Sequence, residues 1–256
     1  MSQTSSRDSR LAALLAVQER ARGFSGWSFD EVRVAYPDGR EPWDYIAEAR
    51  ALAASASSIV DLGTGGGERF AEILEGGVPG RLFATEQWHV NAPVARDRLR
   101  PLGVDAVRAD ATRLPFAAGA FDLVLNRHEG VDPAEIDRVL RPGGTFLTQQ
   151  VYGSWQELRA FFPRMVVHPR HEITYRDGFK AAGYAVTQRR HRYRAVFATL
   201  EDLAFDLLVA PWEIPGLEVE ADLDALLALE RELGTPEGIP LTEGRYLLTA
   251  RKPGTS

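Results

Sequence analysis

The sequence predicts an α/β protein in which a mostly parallel sheet carries helices on both faces. Three observations predict it. From Ile59 to Val151, short apolar strand-like runs alternate with helical stretches, the rhythm of strand–helix–strand units that pair in parallel. Residues 121–125 are apolar along nearly their whole length, as a strand covered on both faces requires. The stretch SIVDLGTGGGERF, from Ser58 to Phe70, passes through glycines at 63, 65, 66 and 67 into an amphipathic segment, the pattern of a tight strand-to-helix turn.

Taken in order, the first ten residues are polar and read as disordered, and residues 11–21 place leucines and alanines at helical spacing. PDGR at 37–40 is a turn, and residues 44–54 are a second helix. Strands follow at 59–62, 82–85, 104–108, 121–125 and 145–151, with helices at 68–74, 90–99 and 133–140 between them. Pro93 is tolerated in a first helical turn, where its missing N–H costs little, and RPGG after Leu140 reads as a helix stop. Beyond Gln150 the rhythm loosens into a helix at 175–182, a long strand at 184–198, two amphipathic helices from Leu200 and Asp222, and a last strand at 246–251. No linker divides the chain. It reads as one domain over 1–256: a helical extension (1–56), a cofactor-binding core (57–151), and a C-terminal part (152–256) with an insert at about 199–240.

The chain has 256 residues, a formal net charge of −6 and no cysteine. Disulfides, thiol catalysis and cysteine-held zinc are therefore excluded, and the acidic balance argues against a general nucleic-acid binder. The polar start, MSQTSSRDSR, has no signal-like apolar core, and no early apolar run is long enough to span a bilayer. The expectation is a soluble, cytoplasmic protein.

A dinucleotide site wants G-x-G-x-x-G, with the pyrophosphate on the helix N-terminus. Counted from Gly63, the third glycine position holds Glu68, and its carboxylate repels a phosphate, as does Asp61 at the strand end. The pattern D-x-G-x-G-x-G suits a ligand with a cationic group and no phosphate. Glu86 follows the second strand at the spacing of a ribose-binding acid. Asp110, in ADATRLPF, follows the third strand, where a carboxylate can accept from an exocyclic amine.

These features, with EIDRVLRPGGTFLTQQV from Glu135, agree in order and spacing, and over residues 58–151 they resemble the class I S-adenosylmethionine-dependent methyltransferases, of the type 11-like group. The resemblance implies a Rossmann-like seven-stranded sheet whose last strand, RYLLTARKP, is antiparallel. It implies S-adenosyl-L-methionine as cofactor, lying over the carboxyl ends of the first and fourth strands of the repeating core. Gly63, Thr64 and Gly65 would cradle the methionine part, Asp61 would help hold its ammonium, Glu86 the ribose and Asp110 the adenine amine. Gly67, Ala111 and Asn126 complete the cofactor set.

The fourth strand ends in LNRHEG, so its tip faces the reactive methyl. His128 is the candidate base, since its unperturbed pKa lies near working pH, and Glu129 is the candidate to orient it. Trp43, Tyr45, Tyr152, Trp155 and Trp212 are candidate walls of the acceptor pocket. The paired histidines of HPRHE are separated by Pro169, which denies them a common helical face, so no metal is expected. The basic run QRRHRYR from Gln188 reads as a solvated edge strand. The expected reaction is methyl transfer to an oxygen, nitrogen or carbon nucleophile of a small molecule. An RNA methyltransferase and a non-catalytic cofactor-binding protein are the rival readings, and the oligomeric state is left open.

Overall fold

The computed structural model describes residues 3–26 and 29–254. Its elements are α1 (Gln3–Arg22), β1 (Val34–Ala35), α2 (Tyr45–Ala53), β2 (Ser58–Leu62), α3 (Glu68–Ile73), β3 (Arg81–Thr85), α4 (Asn91–Leu99), β4 (Val104–Val107), β5 (Phe121–Arg127), α5 (Pro133–Val139), β6 (Leu140–Val151), α6 (His171–Ala181), β7 (Ala185–Phe197), α7 (Leu200–Val209), α8 (Val219–Leu233) and β8 (Ile239–Arg251). The sheet runs β1-β7-β8-β6-β5-β2-β3-β4. β2 to β6 pair in parallel, and β8 lies antiparallel between β6 and β7. The antiparallel last strand is the one the resemblance implies. The sheet has eight strands where seven were expected: β1 is a two-residue addition at the edge, antiparallel to β7 and too short to carry a periodic pattern.

Alternation along each strand sends its side chains to two cores. Ile59, Leu82, Ala84, Leu123, Leu125 and Leu147 face α2, α3 and α4. Val60, Leu62, Val124, Phe146, Tyr246 and Leu248 face α5 and α6. A third core joins α1, α7 and α8 over the ends of β7 and β8, with Leu14, Phe197, Leu203, Leu226 and Leu241 in its centre. Burial on both faces accounts for the apolar strands read in the sequence.

Three local differences have clear causes. α1 begins at Gln3 instead of at residue 11, because charge holds the polar start: Arg7 pairs with Asp224, and Arg10 reaches Glu201 at 2.9 Å and Glu230 at 2.7 Å. The helix before RPGG stops as expected, but RPGG continues as strand. α5 ends at Val139, Leu140 is already extended, and Arg141–Gly144 open β6 beside a shift in the β5–β6 register. Gly143 there takes φ 78 and donates to Pro253 O at 3.1 Å. β8 starts at Ile239, seven residues before the 246 expected, since it pairs with β7 along the whole of that strand.

Register fixes where the site lies. Leu62, Thr85 and Asn126 stand in one row across β2, β3 and β5, with Thr148 of β6 beside them. The next positions, Gly63, Glu86 and Arg127, therefore share one edge. The chain departs in opposite directions from β2 and β5 there, which is the switch-point crevice where open α/β sheets take ligands.

Candidate cofactor and acceptor site

The turn after β2 uses its glycines for conformation. Gly63, Gly65 and Gly67 take φ of 63, 62 and 83, the left-handed region that L-residues avoid. Gly67 is the N-cap of α3. Gly63 is also required by space, because a Cβ there would lie 2.4 Å from Glu129 Cβ. Thr64 N donates to Thr85 O at 2.9 Å, tying the turn to β3.

Carboxylates surround this turn. Asp61 is buried on the α2 side of β2. Burial pushes its pKa up to about 7, with Thr64 and Arg127 favouring the ionised form and Glu86 opposing it. Glu86 is buried at the tip of β3. Its Oε2 accepts from Gly65 N and its Oε1 from Trp88 N, each at 2.7 Å, while burial raises its pKa. Glu129 packs on Gly63, and burial with the nearby charges of Glu86 and Asp110 pushes its pKa up to about 7. Asp110 folds back on its own turn, with Oδ1 accepting from Thr112 N at 2.8 Å and Thr112 Oγ1 at 2.7 Å. Those bonds hold its pKa below the usual range. Ala111 is buried beside it, as is Leu114, and Phe116 packs edge-on against Phe83 and Phe121 at 5.6 and 4.9 Å.

Asn126 lies beneath this surface, fully buried. Its oxygen accepts from Thr148 Oγ1 at 2.7 Å and Gln150 Nε2 at 2.5 Å, and its amide donates to Leu62 O at 3.4 Å. It braces the tips of β2, β5 and β6 from below. His128 has φ 64, one of two non-glycine residues in the left-handed region among the described residues. Its N donates to Gln149 O at 2.9 Å, and its Nδ1 is buried with no hydrogen-bond partner. Burial, with Arg127, Arg245 and Arg40 nearby, holds its pKa well below the ordinary histidine value. The ring is neutral at working pH, and its protonated form is strongly disfavoured.

Beside β5 lies a cavity of about 290 Å³, lined in part by Arg40, Trp43, Tyr45, Arg69, Arg127 and Gln149. Asp44 caps α2 by accepting from Ala47 N at 3.1 Å, and this helix start delivers Tyr45. Trp43 Nε1 donates to Gln149 Oε1 at 2.8 Å. Of the five aromatic residues read as pocket walls, these two reach the cavity. Tyr152 packs against Tyr246 with centroids 6.4 Å apart. Trp155 packs on the third core and donates to Glu243 Oε1 at 2.9 Å. Trp212 lies half-exposed in the loop between α7 and α8. The arginines of the cavity were missed by sequence reasoning. Arg127 sat in plain view between Asn126 and His128, whereas nothing local marks Arg40 or Arg69.

His168 and His171 do not converge: the first lies 3.1 Å from Glu213 Oε2 and the second stacks on Tyr175. In the basic run of β7, Arg189 pairs with Glu48, and Arg194 pairs with Asp38 at 2.7 Å.

Residues 60–148 match the family described as a methyltransferase domain. Over those residues the chain is similar to class I S-adenosylmethionine-dependent methyltransferases. The chain is similar to the ubiquinone/menaquinone biosynthesis C-methyltransferase UbiE of Cupriavidus metallidurans, at 29% identity over 130 residues, 47% of this chain and 54% of that protein. The corresponding protein of Paraburkholderia xenovorans is 28% identical over the same shares. The chain thus matches about half the length of these curated relatives. Among solved structures, YcgJ of Bacillus subtilis shares the fold with a TM-score of 0.58 at 17% identity, over 82% of this chain and 99% of that one. The [4+2]-cyclase SpnF shares it with a TM-score of 0.57 at 16% identity, over 95% and 93%. No described helix is long and apolar enough to cross a membrane.

Proposed function

We propose that the methyltransferase domain binds S-adenosylmethionine and that the protein transfers its methyl group to an oxygen, nitrogen or carbon nucleophile of a small molecule. One observation carries this reading: three carboxylates, Asp61, Glu86 and Glu129, converge on a glycine turn that itself contains no lysine or arginine. A buried carboxylate is costly until a cation joins it. Asp61 and Glu129, both held near neutrality by burial, fit a ligand with an ammonium and a sulfonium and no phosphate. Glu86 is fixed by two backbone donors and keeps lone pairs for ribose hydroxyls. Asp110 Oδ2, which takes no hydrogen bond from the described residues, is left for the adenine amine.

When bound, the cofactor supplies a methyl group already activated by its sulfonium. The chain's part is alignment, which accounts for up to ~7–11 kcal/mol of a barrier, and removal of a proton where the acceptor carries one. His128 is a neutral imidazole and so free to accept a proton. The arginines around it oppose its staying charged, which favours an acceptor that arrives ionised or passes its proton onward. A small acceptor is supported by the cavity beside β5 and by the ion pairs that already engage Arg189 and Arg194 of the basic strand. The curated relatives are named for C-methyl transfer, which keeps carbon among the acceptor atoms.

Calorimetric titration with S-adenosylmethionine and with NAD tests the reading. Binding of the first and not the second is expected. Binding of NAD, or of neither, overturns it.

A further inference from the structure

Arg127 ends β5 on the face of the sheet that carries α2 and α3, following Leu123 and Leu125. It is half-buried and lines the cavity of about 290 Å³. Among the described residues its guanidinium makes no hydrogen bond and no ion pair. The other two arginines of the cavity are answered: Arg40 lies 3.5 Å from Glu41 and Arg69 lies 2.9 Å from Glu72. Arg127 instead feels cations: burial, with Arg69, Arg245 and Arg40 nearby, lowers its pKa to about 10. Asp61 senses it on the same face but stays beyond ion-pair distance. Lining the same cavity, Tyr45 has a buried hydroxyl that makes no well-formed hydrogen bond and has the backbone of Asn126 beside it.

A half-buried guanidinium beside other cations gains from a counter-charge, and a buried hydroxyl gains from a hydrogen-bond partner. Both lie on one cavity, and a single anion answers both. The planar fork of arginine matches a carboxylate with two parallel hydrogen bonds. A singly charged carboxylate also suits a wall that holds Glu41, Asp44 and Glu72 better than a phosphate dianion does.

We propose that Arg127, with the Tyr45 hydroxyl, is the receptor for a carboxylate carried into the site. This rests on the reading of the adjoining crevice as a methyl-donor site. Two sources share the chemistry: the methionine tail of the cofactor, and the methyl acceptor.

The test titrates the wild-type protein, Arg127→Gln and Arg127→Lys with three probes by calorimetry. S-adenosylhomocysteine carries the amino-acid tail, 5′-methylthioadenosine lacks it, and benzoate is added to protein saturated with S-adenosylhomocysteine. If the tail is the source, Arg127→Gln loses ~10-fold or more in affinity for S-adenosylhomocysteine and none for 5′-methylthioadenosine. If the acceptor is the source, Arg127→Gln keeps both nucleosides and loses benzoate. In either case Arg127→Lys retains part of the affinity. Equal binding of all three probes by Arg127→Gln and wild type overturns the proposal, as does a loss of 5′-methylthioadenosine as large as that of S-adenosylhomocysteine. Thermal melting is the control on folding. Arg127→Gln is expected to melt no lower than wild type, because no partner is lost, and a lower melt means the guanidinium has a structural partner. Failure of the wild type to bind either nucleoside is a separate result, and it removes the methyl-donor site itself.

Discussion

In the site, Asp61 and Glu129 change charge near neutrality. Burial holds both near pH 7 in the folded chain, against ~4 for such groups unfolded. Between those values the folded chain binds more protons. The stability tied to their protonated forms is therefore fully present below about pH 4 and is lost as pH rises through about 7. Thermal melts from pH 5 to 8 are expected to fall more steeply for the wild type than for Asp61→Asn or Glu129→Gln; parallel curves would show that the two acids are ordinary. A bound cation reverses the preference, so affinity for S-adenosylmethionine is expected to rise from pH 6 to 8, with proton release seen as a buffer-dependent binding heat. Glu86→Ala is expected to weaken binding by ~1.5–3 kcal/mol, read by the same titration. Gly63→Ala is expected to destabilise the fold by more than ~1 kcal/mol, since its Cβ meets Glu129 as well as an unfavourable φ. Pairing it with Glu129→Gly, which removes the Cβ that the new methyl would meet, should recover the steric part in denaturant melts, and no recovery would place the whole cost in the backbone. Asp61, Glu86 and the glycines were legible in the sequence because strand–turn–helix spacing dictates their places. The protonation states of Asp61, Glu129 and His128 were not, since they follow from burial and from charges on distant segments.

At the scale of elements, the parallel strands deliver the site and Asn126 locks their tips. It joins β2, β5 and β6 through Leu62, Thr148 and Gln150. Asn126→Ala is expected to cost ~1–3 kcal/mol in chemical denaturation, with a larger loss of cofactor affinity than a surface change of equal cost. An unchanged midpoint would show that the bracing contributes nothing. Most strands and helices were readable from periodicity. That RPGG also opens β6 was not legible, because proline and glycine have the same local preferences in a bulge as in a helix stop; pairing with β5 and the contact from Gly143 to Pro253 place it in the strand. The start of α1 was misread because a polar segment held by ion pairs looks like one that is free.

At the scale of the molecule, the N-terminal helix and the helices before the last strand form one body. α1 packs on α7 and α8, with Leu14 fully buried among them, and Arg10 bonds to both helices. Leu14→Ala is expected to cost ~2–5 kcal/mol in denaturant melts, although it lies outside the matched residues 60–148; a cost near zero would mean the third core is separable from the sheet. The sequence by itself determined the α/β class, the glycine turn and the acidic residues at the strand tips, because each is written in a run of a few neighbouring residues. Only the tertiary structure joined α1 to α7 and α8, added β1 to the sheet edge, and set an unpaired Arg127 beside Tyr45. Those pairings cross 80 to more than 200 residues of chain, and burial, which decides charge and packing alike, exists only once the layers have closed.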